Sequence, residues 1–396
     1  MPIPPFELER YFARYEFSAR YLLSSSDCEA MAMQDLLDMA DDSTRSLWED
    51  LKLGYTESAG HPLLRQAISG TYPGLHSDDT LVVTPEEGIF LAMHALLKPG
   101  DHVVATFPGY QSLYEIPRTI GCRMDFWKPA EGHEWQFELD RLEALLQPDT
   151  RLVVVNFPHN PTGALLPPDT FRSLVDLLRH RGIYLFSDEM YRHLEIEPGA
   201  ILPAACEAYE KAVTLSGLSK AYGLPGLRIG WLASRDREFL ARTARLKDYT
   251  TICNSAPSEV LGIIALANRQ TIINRQQVRI RANLDVLETF MAAHGTIFRW
   301  RRPAGGSIGF PGFLRPEGAE AFCERLVEQA GIMLLPSTPF QYGDKHVRIG
   351  FGRDNLPEVL QRLSDYLAGL SGYISGPGGT GFGFPLEGGC SNHEKQ

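Results

Sequence analysis

The chain has no stretch approaching the ~18 uninterrupted apolar residues of a transmembrane helix, so an ordinary membrane span is excluded. It also lacks an excess of basic residues. Lys and Arg number 38 against 49 Asp and Glu, a formal net charge of −11. General nucleic-acid and anionic-membrane surfaces need a basic footprint and are therefore not expected, although a local basic pocket for a phosphate is still allowed. The opening Met1-Pro-Ile-Pro-Pro-Phe6 has neither the basic flank nor the apolar core of a secretory leader, and a cytoplasmic location is the expectation. Six scattered cysteines (Cys28, Cys122, Cys206, Cys253, Cys323, Cys390) show no C-x-x-C and no His/Cys metal spacing. They read as reduced thiols that mainly fill the core, and no metal is expected.

What is present is the material of a globular protein with more than one core. At 396 residues, with 44% hydrophobic and 22% charged residues, one large and one smaller domain is the natural division. From about residue 80 short apolar runs alternate with helical patterns: Leu81–Val83, a helix from Pro85 to Leu97, His102–Ala105, Leu152–Val155, a helix from Pro168 to His180, Ile183–Phe186, Ala212–Leu215 and Arg228–Ala233. Nearly continuous apolar strands between helices predict an α/β fold with a mostly parallel sheet sandwiched by helices, and function at the carboxyl ends of its strands. One long helical region is expected from Pro257 to His294, followed by short strands and two helices of a smaller α+β domain. The expected division is residues 1–45 packing on the small domain, 46–285 as the large domain, 286–370 as the small domain, and a glycine-rich, disordered tail from 371 to 396.

Four features fall at the ends of successive strands. Asn156-Phe-Pro-His-Asn160-Pro-Thr-Gly163 follows an apolar run, and its prolines and glycine force a turn that can fix the Asn160 side chain over the sheet edge. Ser187-Asp188-Glu-Met-Tyr191 ends another; Asp188 could cap the next helix, or hold a proton on a pyridine nitrogen. In Ser216-Gly-Leu-Ser-Lys220-Ala-Tyr-Gly-Leu-Pro-Gly-Leu-Arg228-Ile-Gly230 an ammonium and a guanidinium sit in an apolar, glycine-punctuated element, where an unpaired charge is costly. An imine at Lys220 and a phosphate dianion on Arg228 would resolve both. Thr84-Pro-Glu-Glu-Gly88 opens a helix straight after a strand. This suits phosphate binding, yet Glu86 and Glu87 also suit a first helical turn without any ligand.

Asn160-Pro-Thr-Gly, Asp188-x-x-Tyr191, Ser219-Lys220 and Gly226-x-Arg228-x-Gly230, in this order and spacing, resemble the class I/II aminotransferases, fold-type I enzymes dependent on pyridoxal 5'-phosphate. The resemblance runs over roughly residues 50 to 355. It implies that Lys220 forms the imine and later moves the proton at Cα, through an external aldimine and a quinonoid of the amino-acid substrate. Asp188 would pair with the pyridinium nitrogen, Asn160 and Tyr191 would bond the ring 3-oxygen, and Ser219 and Arg228 would hold the phosphate. Glu86 and Glu87 stand on the phosphate side. Tyr110 matches the aromatic ring stacked on the cofactor. Tyr55 matches a tyrosine that reaches the phosphate from a neighbouring subunit, so a homodimer with shared sites is implied. Arg348, in preference to Arg353, matches the clamp on the substrate α-carboxylate, and Asn160 and Ser26 would stand beside it.

Three departures from that pattern bear on the reaction. The phosphate turn is Thr84-Pro-Glu-Glu rather than glycine-led, Gly217 stands where a serine is usual, and Leu22-Leu-Ser-Ser-Ser-Asp27-Cys-Glu-Ala-Met31 lacks the usual glycine or Asn-Pro turn. These segments, with Pro108-Gly-Tyr-Gln-Ser-Leu-Tyr-Glu115, resemble capreomycidine synthase and related enzymes of specialised metabolism. That resemblance implies elimination, replacement or cyclisation at Cβ or Cγ as the alternative to transamination, with Asp27, Glu57 or Glu86 available to a cationic side chain. A non-catalytic ligand-sensing module is the reading from another class. Regulators of that kind carry a basic DNA-binding domain in front, and only about 45 residues without basic clustering stand before the large domain here.

Overall fold

The computed structural model describes residues 3–130, 135–197 and 199–374. Seven strands form the central sheet. Across it they lie in the order Thr80–Val83, Gly230–Ala233, Ala212–Gly217, Tyr184–Asp188, Thr150–Asn156, His102–Thr106 and Arg123–Trp127. Gly230–Ala233 runs antiparallel to both of its neighbours, and every other pairing is parallel. The sheet is buried on both faces, which is why its strands read as continuous apolar runs. Leu152, Val154, Phe186 and Val213 pack on one face beneath the helices Pro85–Leu96 and Arg237–Lys247, while Val153, Val155 and Leu185 pack on the other beneath Pro168–Arg181. The α/β architecture expected from the sequence is the one observed.

Two local expectations are corrected. Arg123–Trp127 was not read as a strand; it is the sheet edge, and four of its five residues keep solvent contact, so it carries no apolar run. The helical region after Pro257 is two helices, Ala256–Ala267 and Arg269–Ala293. They part at Asn268, whose side-chain amide donates to the Ile264 carbonyl at 2.9 Å and to the Met39 carbonyl at 3.0 Å.

Beyond the sheet, Ile308–Gly309, Val347–Gly350 and Leu335–Pro336 form a small antiparallel sheet beside the helices Ala319–Ala330 and Leu356–Ile374. Tyr21–Leu22 pairs in parallel with Ile332–Met333, bringing the N-terminal segment onto this part of the chain. The boundary expected at residue 285 lies inside the helix Arg269–Ala293. The expected tail begins at 371, but the last helix continues to Ile374, and 375–396, with Cys390, lie outside the described residues. Cys28, Cys122, Cys206 and Cys323 are free and buried, and Cys253 is free and half-buried. Among the described residues no helix is long and apolar enough to cross a membrane, and no group of three His, Cys, Asp or Glu could hold a metal.

Candidate active site

The carboxyl ends of Thr150–Asn156, Tyr184–Asp188 and Ala212–Gly217 open into a cavity of about 600 Å3 that collects Lys220, Asp188, Asn160, Tyr191, Tyr110 and Arg348. Ser219, Arg228, Glu86 and Ser26 line it as well. A larger cleft of about 800 Å3 between Phe137, Pro167 and Trp300 contains none of these residues. Size alone would have pointed to the wrong place.

Asp188 ends a strand buried along its whole length, and its Oδ1 accepts the Met190 N–H at 3.1 Å. Burial pushes its carboxyl up to about 7, against the opposing pull of that hydrogen bond. Beside it in register stands Asn156. Its Nδ2 donates to the Asp188 carbonyl at 2.9 Å and its Oδ1 accepts the Asn160 N–H at 2.7 Å. Asn156 thus ties the 156–163 turn to the strand carrying Asp188, a role the sequence reading did not assign.

The Lys220 ammonium donates to Ser26 Oγ at 2.9 Å and lies 5.9 Å from the centre of the Tyr191 ring. Burial lowers its pKa, with Arg348 adding to the effect, so a neutral amine is easier to reach than on a surface lysine. Ser219 is 6% exposed, and its hydroxyl has no hydrogen-bond partner. An orphaned hydroxyl in a polar cavity is what a bound anion would satisfy. The missing serine at 217 has a steric reason: a Cβ on Gly217 would meet the Ile229 carbonyl oxygen at 2.9 Å and Gly230 Cα at 3.0 Å.

Arg348 is 1% exposed. Its guanidinium donates to the Ser24 carbonyl at 2.9 and 3.2 Å and to Asn160 Oδ1 at 3.4 Å. Both acceptors are neutral, and burial depresses its pKa. Asp27 and Glu9 act on it only from a distance, and a buried cation with no carboxylate bonded to it costs free energy that an incoming carboxylate offsets. Arg353, the competitor, is engaged by Asp27 at 3.0 and 3.2 Å.

Several expectations need correction. Arg228 is exposed rather than buried: it closes the turn Pro225–Leu227 at φ 56° and donates to the Pro225 carbonyl at 3.0 Å, so its charge is solvated at the cavity rim. Glu87 does not line the cavity. Its carboxylate accepts the hydroxyl of Thr251 at 2.8 Å, that of Thr250, and the Thr84 N–H at 3.4 Å, which makes it a helix cap facing away. Glu86 does face inward, bonded by the Ser112 hydroxyl and by Tyr110, and burial raises its pKa. Tyr55 is 91% exposed and Glu57 is exposed, both away from the cavity within this chain. Asp27 is at the cavity but already paired with Arg353.

The element missed altogether is the helix Glu7–Tyr15, which forms one wall of the cavity through Leu8, Glu9 and Phe12. Phe6 just ahead of it sets its ring 5.2 Å from that of Tyr110, and the Arg348 guanidinium lies 5.6 Å from the Phe12 ring. Leu8, Tyr11, Phe12 and Tyr15 at helical spacing were the available signal.

These residues fit pyridoxal phosphate. A buried carboxylate, an unpartnered hydroxyl and a partly desolvated lysine answer respectively to a ring nitrogen, a phosphate and an aldehyde carbon, and Tyr110 offers a ring face.

The sequence model of the family described as aminotransferase class I and II matches residues 22–363. Among curated proteins, capreomycidine synthase of Streptomyces vinaceus is 32% identical over 371 residues, covering 92% of this chain and 94% of that one. Aspartate aminotransferase of Thermotoga maritima is 28% identical over 79% of this chain and 83% of that one. Among solved structures, a PLP-dependent aminotransferase from Streptococcus suis superposes with a TM-score of 0.87 at 29% identity, over 93% of this chain and 98% of that one. The PLP-dependent cyclase OrfR superposes with a TM-score of 0.85 at 30% identity over the same shares.

Proposed function

The chain belongs to the class I and II aminotransferases and is an enzyme dependent on pyridoxal phosphate that acts on an amino acid, and we propose that Lys220 is its imine-forming and proton-moving residue. The observation that carries this reading is the meeting of Lys220, Asp188 and Arg348 in one cavity. Bound pyridoxal phosphate supplies an electron sink for the pair left at Cα when a bond there breaks. Lys220 Nζ, its charged form disfavoured by burial, takes and returns the Cα proton. The Asp188 carboxylate would keep a proton on the ring nitrogen, and Asn160 and Tyr191 would bond the ring 3-oxygen. Ser219 and Arg228 would hold the phosphate, and Tyr110 would offer a ring to stack on the cofactor. Arg348 would grip the α-carboxylate and so orient the substrate's Cα bonds toward Lys220.

Purified protein is expected to absorb near the visible imine band and to lose that band on borohydride treatment. A borohydride-reducible imine retained in Lys220→Ala would overturn the assignment. We propose further that the protein works in the cytoplasm as a homodimer, with Tyr55 completing the phosphate site of the partner subunit; its 91% exposure leaves it free to do so.

Elimination, replacement or cyclisation at Cβ or Cγ is the second reading for the reaction itself. Supporting it, the likeness to capreomycidine synthase extends over 92% of this chain, against 79% for the Thermotoga aspartate aminotransferase. Amino acids screened with and without a keto-acid acceptor, with products identified by mass, separate the two. Turnover without an acceptor would exclude plain transamination.

A further inference from the structure

We propose that Glu86 meets the cofactor phosphate as a neutral carboxylic acid that donates a hydrogen bond to a phosphate oxygen, so that binding takes up a proton and the hold of Glu86 on the cofactor is lost as pH rises. The proposal rests on the functional reading above and gives its phosphate site a protonation state and a pH dependence.

The helix Pro85–Leu96 opens with a donor missing and an acid in its place. Pro85 has no N–H to offer an anion, and Glu86 follows it. Glu87 is turned away, bonded to Thr250 and Thr251. The opening nevertheless abuts the other proposed phosphate ligands. The Thr84 hydroxyl donates to the Arg228 carbonyl at 3.1 Å, a Cβ on Gly230 would meet Pro85 Cγ at 2.8 Å, and Glu86 lines the same cavity as Ser219 and Arg228. A ligand is independently expected there, because Ser219 is 6% exposed and its hydroxyl has no partner.

Glu86 is fixed by two donors. The hydroxyls of Ser112 and Tyr110 both point to its carboxyl, from the helix Ser112–Ile120 and the turn before it. Among the described residues it forms no ion pair. The charges that bear on it are the carboxylates of Glu9, on the N-terminal helix Glu7–Tyr15, and of Asp188, at a strand end, against the guanidinium of Arg228 at the rim; Lys220 and Arg348 stand in the same cavity. Burial outweighs the pull of the two hydroxyls and of Arg228, and favours the neutral acid. A dianionic phosphate beside an ionised Glu86 would add a further like charge to a half-buried carboxylate with no cation bonded to it. A proton between them removes that repulsion and makes an O–H···O− bond, one of the stronger kinds. The free ester has lost its second proton well above its pKa of about 6, so under alkaline conditions solvent supplies the proton.

The test is calorimetry on the full chain stripped of its cofactor. The probes are pyridoxine 5'-phosphate, which has the phosphate but no aldehyde and so leaves imine formation out, and pyridoxine, which lacks the phosphate. Titrations at about pH 6 and about pH 8.5, each in two buffers of different ionisation enthalpy, count the protons exchanged. At the higher pH the wild-type protein should take up about one proton more with pyridoxine 5'-phosphate than with pyridoxine. Glu86→Gln, whose amide donates at either pH, should bind pyridoxine 5'-phosphate within about twofold of the wild type at the lower pH and about tenfold more tightly at the higher, with the extra uptake gone. Equal uptake with the two probes, a wild-type-to-variant affinity ratio that does not change with pH, or weaker binding by Glu86→Gln at the higher pH would each overturn the inference. If the variant fails to fold, the difference in uptake between the two probes decides the matter alone. Pyridoxal 5'-phosphate that raises no imine band with the wild-type protein overturns the functional reading itself; a band without the proton linkage overturns the inference alone.

Discussion

Lys220 Nζ and Ser26 Oγ, 194 positions apart, are joined by a hydrogen bond of 2.9 Å. The backbone around Ser26 is held from the far side as well, since the Ser307 hydroxyl donates to the Ser26 carbonyl at 2.8 Å. A lysine just past the end of Ala212–Gly217 is therefore aimed by a serine of the N-terminal segment, which Tyr21–Leu22 holds against the C-terminal part of the chain. The amine proposed to form the imine is thus positioned jointly by both parts of the fold.

Asp188 gives a pH-dependent stability with a defined sign. Its folded pKa of about 7 lies above the unfolded carboxylate value of 3.8, so the folded cofactor-free protein favours the protonated form. That contribution is full below pH ~4 and is lost as pH rises toward ~7. Cofactor-free Asp188→Asn should therefore lose less stability than the wild type between pH 4 and 7 in denaturant titrations, while turnover falls by at least about a hundredfold. Parallel stability curves for the two proteins would show that Asp188 is not buried as described.

Ser219→Ala should act oppositely on the two forms of the protein. Removing an unpartnered buried hydroxyl is expected to leave the cofactor-free melting temperature unchanged or higher. Loss of a phosphate ligand should weaken cofactor affinity about tenfold. Unaltered cofactor affinity, measured by equilibrium dialysis, would remove Ser219 from the phosphate site.

Arg348→Lys keeps the charge and loses the planar fork that meets Ser24 and could meet a carboxylate. The expected change is about a hundredfold in kcat/KM, mainly through KM, with the cofactor band intact. A variant that kept its KM would shift the α-carboxylate site elsewhere.

Tyr55 is tested by subunit mixing. Lys220→Ala and Tyr55→Ala should each be impaired alone, and refolding the two together should restore activity, because a mixed dimer contains one site with both residues intact. No recovery, or a monomer by sedimentation, would rule out the shared site.

Much of the central sheet was legible, because Leu152–Val155, Ile183–Phe186 and Ala212–Leu215 are buried on both faces and so carry unbroken apolar runs. The half-exposed edge strand Arg123–Trp127 had no such signature. The placement of Asp188 and Lys220 at the cavity was legible because local spacing at strand ends sets it. Glu87 resisted that logic: it shares the helix opening with Glu86, and only the position of Thr250 and Thr251 decides that it turns away. Arg228 likewise looked buried in its apolar segment until its left-handed turn placed it at the rim.

By itself the amino-acid order determined the family and the cofactor, and it supplied the lysine proposed to activate the Cα bond, because those depend on motifs short enough to be set by neighbours along the chain. Tertiary structure alone decided what else lines the cavity. Glu9, Glu16 and Phe12 reach the site only because a helix at one end of the chain docks against Gln111, Leu334 and Arg348, and contacts that distant in sequence leave no local pattern to read.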